Sequence, residues 1–290
     1  MKRSDFLKLI TLSPLALAAM QVKEFESISQ SFPKSPRMPL LFIGHGHPMN
    51  AIFDNHFTQS LQKMTRDIPK PNAIMVISAH WETRGTYVSV NPQPKTIYDF
   101  GGFDDKLYQI KYEPQGHPAL AREVLHELPF AKEDQTMGLD HGAWTILKFL
   151  YPKADIPVFQ MSIDYTLPTA KHYEIAQALK KMRDKGVLII GSGNIVHNLG
   201  KVDWYNINAK SSDWAIEFDT IVKNKLDHRD FKSLINYKTL GTSAQLSIPS
   251  EDHYLPMLYT LGLSDPKEPL QYLYEGFQFA NISMRCFKIG

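Results

Sequence analysis

The feature that most constrains this chain is a set of short apolar, β-prone runs, most of which lead to a histidine. Pro39-Leu40-Leu41-Phe42-Ile43-Gly44 leads into His45, and Ala73-Ile74-Met75-Val76-Ile77-Ser78-Ala79 leads into His80. Val187-Leu188-Ile189-Ile190-Gly191 runs toward His197, and Val158-Phe159-Gln160-Met161-Ser162-Ile163 ends at Asp164. A fifth histidine, His253, stands just before an apolar helix pattern. Apolar runs without polar alternation are strands covered on both faces, and helix-patterned crossovers between them indicate a mainly parallel sheet. In an open parallel sheet, side chains just past the strand carboxyl ends converge on one crevice. Histidines delivered there from distant parts of the chain read as a metal site.

The pattern predicts strands at 39–44, 73–79, 86–90, 157–163 and 187–192. It predicts helices near 55–66, 118–128, 142–150, 168–185, 213–226 and 252–262, with one or two closing strands between Gly276 and Ile289. The expectation is a single α/β domain over 38–290, with helices on both faces of a mainly parallel central sheet and a metal site at the strand carboxyl ends. No internal repeat or low-complexity tract interrupts it.

Residues 1–37 read differently. Met1-Lys2-Arg3 is a basic start, Leu7 to Met20 is largely apolar, and Ala16-Leu17-Ala18 is a small-residue cleavage pattern. The apolar run is short for a bilayer span, so 1–20 is expected to be a signal peptide and the protein to be exported to a periplasm. Lys2-Arg3-Ser4-Asp5-Phe6-Leu7-Lys8 resembles a twin-arginine signal with Ser4 in place of the second arginine. Were the segment not a functional signal, the protein would stay cytoplasmic. Residues 21–37, rich in Ser, Gln, Pro and Lys, read as a linker.

Charge and cysteine content narrow the chemistry. There are 32 basic and 30 acidic residues for a formal net charge of +2, and no dense Lys/Arg stripe, so a nucleic-acid partner is not expected. Stable membrane insertion is not expected either. Cys286 is the sole cysteine, which excludes a disulfide within the chain and a thiolate metal cluster. A metal must therefore be held by His, Asp or Glu, and eleven histidines are available.

Each histidine motif has a bland reading beside the functional one. In Gly44-His45-Gly46-His47-Pro48 the glycines permit a sharp turn. His45 comes straight off the strand, and His47 is a second ligand or a neighbour of one. In Ser78-Ala79-His80-Trp81-Glu82, His80 occupies the equivalent position one strand over, and Trp81 is either core or an aromatic wall. Gly191-Ser192-Gly193-Asn194 lacks the lysine of a phosphate loop; its glycines read as room for close backbone approach, with His197 reaching the crevice. In Pro249-Ser250-Glu251-Asp252-His253, Ser250 suits a helix N-cap and the acids a first turn, while an acid there also suits the orientation of a ligating His253. Asp140-His141 is either a capped helix start or a pair in which the carboxylate fixes the tautomer of a proton-transfer group. His56, His117, His126, His172 and His228 lie in polar surroundings and read as surface residues. Three imidazoles with an open position suit catalytic zinc or non-haem iron. The usual iron triad includes a carboxylate, so ligand type alone leans to zinc.

Taken together, the motifs resemble those of the class III extradiol ring-cleaving dioxygenases (the LigB-like superfamily), in the branch that includes bacterial and plant DOPA 4,5-dioxygenases. The resemblance rests on Gly44-His45-Gly46 with Pro48-Met49-Asn50, Ser78-Ala79-His80-Trp81, and Tyr98-Asp99-Phe100-Gly101-Gly102-Phe103. It also rests on Asp140-His141-Gly142-Ala143-Trp144, Pro157 through Ser162, Gly193-Asn194 with Val196-His197-Asn198-Leu199, and Asp252-His253-Tyr254-Leu255-Pro256. These occur in order across 38–290. His47 departs from it, standing where relatives usually carry a small residue.

The resemblance implies that His45, His80 and His253 ligate the metal, and that His197 sits beside it as a fourth ligand or catalytic histidine. It implies that His141 meets substrate and O₂ as an acid/base. It implies Fe(II) as the working metal, with Zn(II) an occupant that cannot activate O₂ because it has no redox chemistry. The implied partners are a small catechol-type substrate and O₂. Tyr98, Phe100, Phe103 and Trp144 are candidates to pack on the aromatic ring. From the residues themselves, a zinc hydrolase and a non-catalytic metal-binding relative of the same fold stay open as alternatives.

Overall fold

The computed structural model describes residues 35–290, so the expected signal peptide and all but the last three residues of the expected linker lie outside the described residues. The strands are β1 (Leu40–Gly44), β2 (Ala73–Ser78), β3 (Glu82–Thr83), β4 (Tyr87–Ser89), β5 (Lys132–Asp134), β6 (Val158–Gln160), β7 (Ile163–Asp164), β8 (Val187–Gly193), β9 (Leu270–Tyr274), β10 (Phe277–Gln278), β11 (Ile282–Ser283) and β12 (Cys286–Ile289). The helices are α1 (His56–Leu61), α2 (Pro118–Glu127), α3 (His141–Leu150), α4 (Thr169–Ala178), α5 (Asp213–Asp227), α6 (Phe231–Ile235), α7 (Thr242–Ser247) and α8 (Leu255–Leu263).

One six-stranded sheet organises them, in the order β6-β2-β8-β1-β12-β9. The first four strands are parallel, and β12 and β9 extend the sheet antiparallel. The central strands β1, β2 and β8 are buried at every residue, which is why their sequences show no alternation. On one face Leu41, Ile43, Ile74, Val76, Leu188 and Ile190 pack with Trp144, Ile146 and Leu147 of α3. On the other, α8 lies against β8, β1 and α4. Each fully buried aliphatic side chain contributes roughly 1.5–3 kcal/mol relative to exposure, and every residue of α8 is buried.

Several expectations are corrected in detail. The expected helix 168–185 is α-helical only over α4, then tightens to a 3₁₀ segment at Lys180–Lys185, ended by Gly186 at φ +77°. The expected strand 157–163 breaks into β6 and β7. The helix expected from 252 begins at Leu255, and the residue before it is Tyr254, with no side-chain cap, so Ser250 does not cap it. Strand β9 and the short helices α6 and α7 were not expected; β9 is half-exposed throughout and the helices are a turn or two long. Arg37 ion-pairs with Asp184 and Asp265, which ties the end of the expected linker to the body. Among the described residues, no helix is long and apolar enough to cross a membrane.

Candidate metal centre

The carboxyl ends of β1, β2 and β8 open on a cavity of about 810 Å³. His45 follows β1 directly, His80 follows β2 by one residue, and His197 follows β8; His253 arrives from the turn before α8. All four line this cavity, with His141 at the start of α3. The ligand nitrogens of His45, His80 and His253 lie within 4.8 Å of one another. His45 Nε2 is 3.0 Å from His80 Nε2.

An oxygen faces the Nδ1 side of each of these three rings. The Ser192 hydroxyl donates to the Gly142 carbonyl at 2.5 Å, so its oxygen accepts from His45 Nδ1 at 3.0 Å. Asp252 accepts from His253 Nδ1. Asp99 Oδ2 stands 3.5 Å from His80 Nδ1. With protons held on Nδ1, all three Nε2 atoms present lone pairs inward. Two lone pairs facing each other at 3.0 Å repel unless a cation lies between them. His253 Nε2 is buried with no hydrogen-bond partner, a costly state for a polar atom. The residues therefore fit a divalent metal, and the oxygens behind them are the orienting partners that metal-bound imidazoles usually have.

Electrostatics agree. Burial, then the neighbouring imidazoles, hold His45 and His253 well below the usual histidine range. Burial and then His141 depress His80 to about 3. Each is thus neutral at neutral pH, the form that ligates.

A close approach of chain segments makes this convergence possible. The amide of Asn194 donates to the His253 carbonyl at 2.8 Å, and a Cβ on Gly193 would overlap that carbonyl. Only glycine lets β8 touch the turn that carries His253. Gly46, at φ +64°, reverses the chain after His45 in the left-handed region that glycine favours.

The other expected residues separate. His197 stacks on His253, with ring centroids 3.4 Å apart and planes 9° from parallel, and groups with Asp252 and His253 rather than with His45 and His80. Burial lowers it to about 4, although Asp252 opposes the shift. His47 lines the cavity but turns Nδ1 toward the Met49 amide, 3.2 Å away. Phe100 and Phe103 line the cavity. Tyr98 and Trp144 do not; their polar atoms donate to the carbonyls of Ile110 and Ile97, and Trp144 is fully buried. Trp81 is core. Of the five histidines expected on the surface, His56, His126 and His228 are exposed. His117 is half-buried and caps α2, and His172 is fully buried against the Tyr259 hydroxyl at 2.9 Å.

The carboxylate beside His141 is a further correction. Asp140 caps α3 through the Ala143 amide and accepts from Ser78; burial raises its carboxyl to about 6. The partner of His141 is Asp99, which accepts from His141 Nδ1 at 2.7 Å and from its amide at 2.8 Å. Burial opposes ionisation of Asp99, but the side-chain and backbone hydrogen bonds from His141 and the nearby His141 and His80 rings together outweigh it, and its carboxyl is lowered. The Tyr98-Asp99-Phe100 motif held this residue without indicating its partner.

A mainly parallel sheet thus gathers three neutral imidazoles at one cavity, beside a carboxylate-held fourth, a donor set that could hold a divalent metal. Residues 34–284 match the family described as "Catalytic LigB subunit of aromatic ring-opening dioxygenase", and the chain belongs to that family, in its extradiol branch. It is 43% identical over 262 residues to a protein of Escherichia coli (strain K12) named 4,5-DOPA dioxygenase extradiol, covering 88% of this chain and 96% of that one. A Beta vulgaris protein of the same name is 36% identical over 259 residues, covering 85% and 94%. A crystal structure of an uncharacterized protein from Escherichia coli K12 superposes with a TM-score of 0.77 at 40% identity, covering 88% of this chain and all of that one.

Proposed function

We propose that this protein is an Fe(II)-dependent extradiol dioxygenase that opens the ring of a DOPA-like catechol with O₂, with His45, His80 and His253 as the metal ligands. The observation that carries this is the inward set of three Nε2 atoms, one of them buried and unpartnered, beside the His141–Asp99 pair. Names of the relatives support a catechol of DOPA type. Bound there, Fe(II) supplies the Lewis acidity that favours an ionised diol and the redox chemistry that O₂ needs.

The chain's own residues do the rest. His141 Nδ1–H is committed to Asp99, which leaves Nε2 as the basic atom. It takes a proton from a ring hydroxyl, and Asp99 stabilises the resulting imidazolium. Returning that proton later in the cycle makes His141 acid as well as base. Phe100 and Phe103 give the aromatic ring apolar walls and exclude water from its faces. His197, parallel to His253, limits the rotation of that ligand and is a fourth ligand or a proton carrier at the same rim.

Anaerobic reconstitution with Fe(II), then oxygen uptake with a catechol, tests this. The expected result is one O₂ consumed per ring opened and a yellow semialdehyde product. The zinc-loaded protein should bind catechol and consume no O₂. Ester or amide hydrolysis without oxygen uptake would replace this reading with a zinc hydrolase.

A further inference from the structure

The metal centre leaves one cavity histidine without a task. His47 lines the cavity, yet it belongs to none of the groups of side chains whose ligand atoms converge there. Rings hold it on three sides: Phe103 at a centroid distance of 4.8 Å, Phe279 at 5.1 Å and Trp204 at 5.6 Å. Its Nδ1 accepts from the Met49 amide at 3.2 Å, as the cap of the 3₁₀ turn Pro48–Ala51. An accepting Nδ1 puts the ring proton of a neutral imidazole on Nε2. Nε2–H is therefore a donor of fixed direction, and it has no acceptor among the described residues.

The same rings show where along the cavity this donor stands. Centroids step 5.5 Å from His141 to Phe100, 5.5 Å from Phe100 to Phe103, and 4.8 Å from Phe103 to His47. All four residues line the cavity, so one aromatic wall runs from the proton-transfer histidine out to His47. A catechol whose diol faces His45, His80 and His253 carries a 4-substituent on the far side of its ring, directed away from them along that wall. The carboxylates of the lining stand with the ligands instead. Asp252 is bonded to His253 Nδ1, and burial and then the charge of Asp252 raise the Glu82 carboxyl. A hydrogen bond from N–H to a carboxylate is charge-assisted, and stronger than one to a neutral carbonyl.

We infer that His47 is a specificity-determining residue, whose Nε2–H receives the side-chain carboxylate of an amino-acid catechol. This rests on the catechol reading above and deepens it by naming the residue that reads the substrate's side chain. The clamp of Phe103, Phe279 and Trp204 holds the ring in place before substrate arrives, so little ordering is needed on binding.

DOPA and its carboxamide, matched in ring and ammonium group, test it. On Fe(II)-loaded wild-type protein DOPA should exceed the carboxamide in kcat/KM by about tenfold, the margin of a hydrogen bond to a charged group over one to a neutral group. Calorimetric binding to the zinc-loaded protein, which needs no turnover, should give the same ratio of Kd values. Taking the ratio within each protein cancels any change in metal loading. In His47→Asn the shorter side chain can still cap Met49 but does not reach the place of Nε2, and the ratio should fall to about 1–2. His47→Gln returns an amide N–H near that place and should keep most of the ratio. A wild-type ratio near 1, a ratio unchanged in His47→Asn, or one lost equally in His47→Gln would overturn the proposal. Cleavage of 4-ethyl catechol shows separately that the dioxygenase reading stands. If no catechol is cleaved, that reading fails, and the Kd ratios of the zinc form still decide the role of His47.

Discussion

Gly193→Ala isolates the geometry of the metal centre without touching a ligand. The new Cβ would overlap the His253 carbonyl oxygen and lie 3.1 Å from both the His253 carbonyl carbon and Pro256 Cγ. Carbon atoms approach comfortably at about 3.5–4.0 Å, so β8 and the His253 turn must part by roughly 0.5–1 Å. The Asn194–His253 hydrogen bond that joins them, 2.8 Å long, would stretch or break. Overpacking of this kind costs about 1–3 kcal/mol, which for a domain of this size lowers Tm by roughly 2–12 °C. Metal sites tolerate ligand shifts of about 0.2 Å, so metal affinity should fall far more than stability. A misplacement of about 1 Å costs on the order of 100-fold in turnover. Calorimetry of the apo-protein, elemental analysis after Fe(II) reconstitution, and oxygen uptake per bound iron read the three effects. Gly101→Ala is the control, because nothing lies within 4 Å of a Cβ there; it should keep metal content and Tm. If Gly193→Ala binds a full equivalent of metal with wild-type Tm, close approach at Gly193 does not set the position of His253.

His45→Ala, His80→Ala and His253→Ala should each abolish stoichiometric metal binding while the fold survives by circular dichroism; full metal content in any one removes that residue from the ligand set. His141→Ala should keep the metal and bind catechol but lose about 10²–10⁴-fold in oxygen uptake, and near wild-type turnover would leave it a buried polar residue at a helix start. Acid should destabilise the apo-protein: His80 and His197 are depressed to about 3 and about 4 from 6.5, so below 6.5 the unfolded chain gains protons that the folded one refuses. Stability is full above that pH and falls by roughly 2 kcal/mol per imidazole by about pH 4.5; a urea midpoint flat over that window refutes the neutral cluster. We propose that residues 1–20 direct export, so native protein should begin near Ala19, and N-terminal sequencing that returns Met1 would contradict it.

The sequence determined the layer architecture and the delivery of histidines to one edge. Short, β-branched, unalternating runs such as Ile74 to Ile77 read as strands buried on both faces, whereas the equally buried apolar run of α8 is a helix, and His45, His80 and His197 follow such strands. Periodicity also located α3 and α5 to within a residue or so, because a repeat of 2 or 3.6 reports burial locally. It failed for β9, whose residues are all partly exposed, and for the histidine of α4, since His172 is polar yet buried through a bond to Tyr259, 87 positions away.

What the tertiary structure alone decided is which oxygen stands behind each imidazole. Asp140 is the chain neighbour of His141, but its side chain turns back to cap α3, and Asp99 arrives from 42 residues upstream to hold the ring. Ser192 orients His45 across 147 residues because β8 lies beside β1. Tyr98 and Trp144 are aromatic like Phe100 and Phe103 and sit in neighbouring motifs. Yet their polar atoms bond to the carbonyls of Ile110 and Ile97, which do not line the cavity, whereas the phenylalanines, with no hydrogen-bonding group to satisfy, do. Local pattern fixes which face of an element is buried; the partner of a polar atom depends on which elements the topology sets side by side.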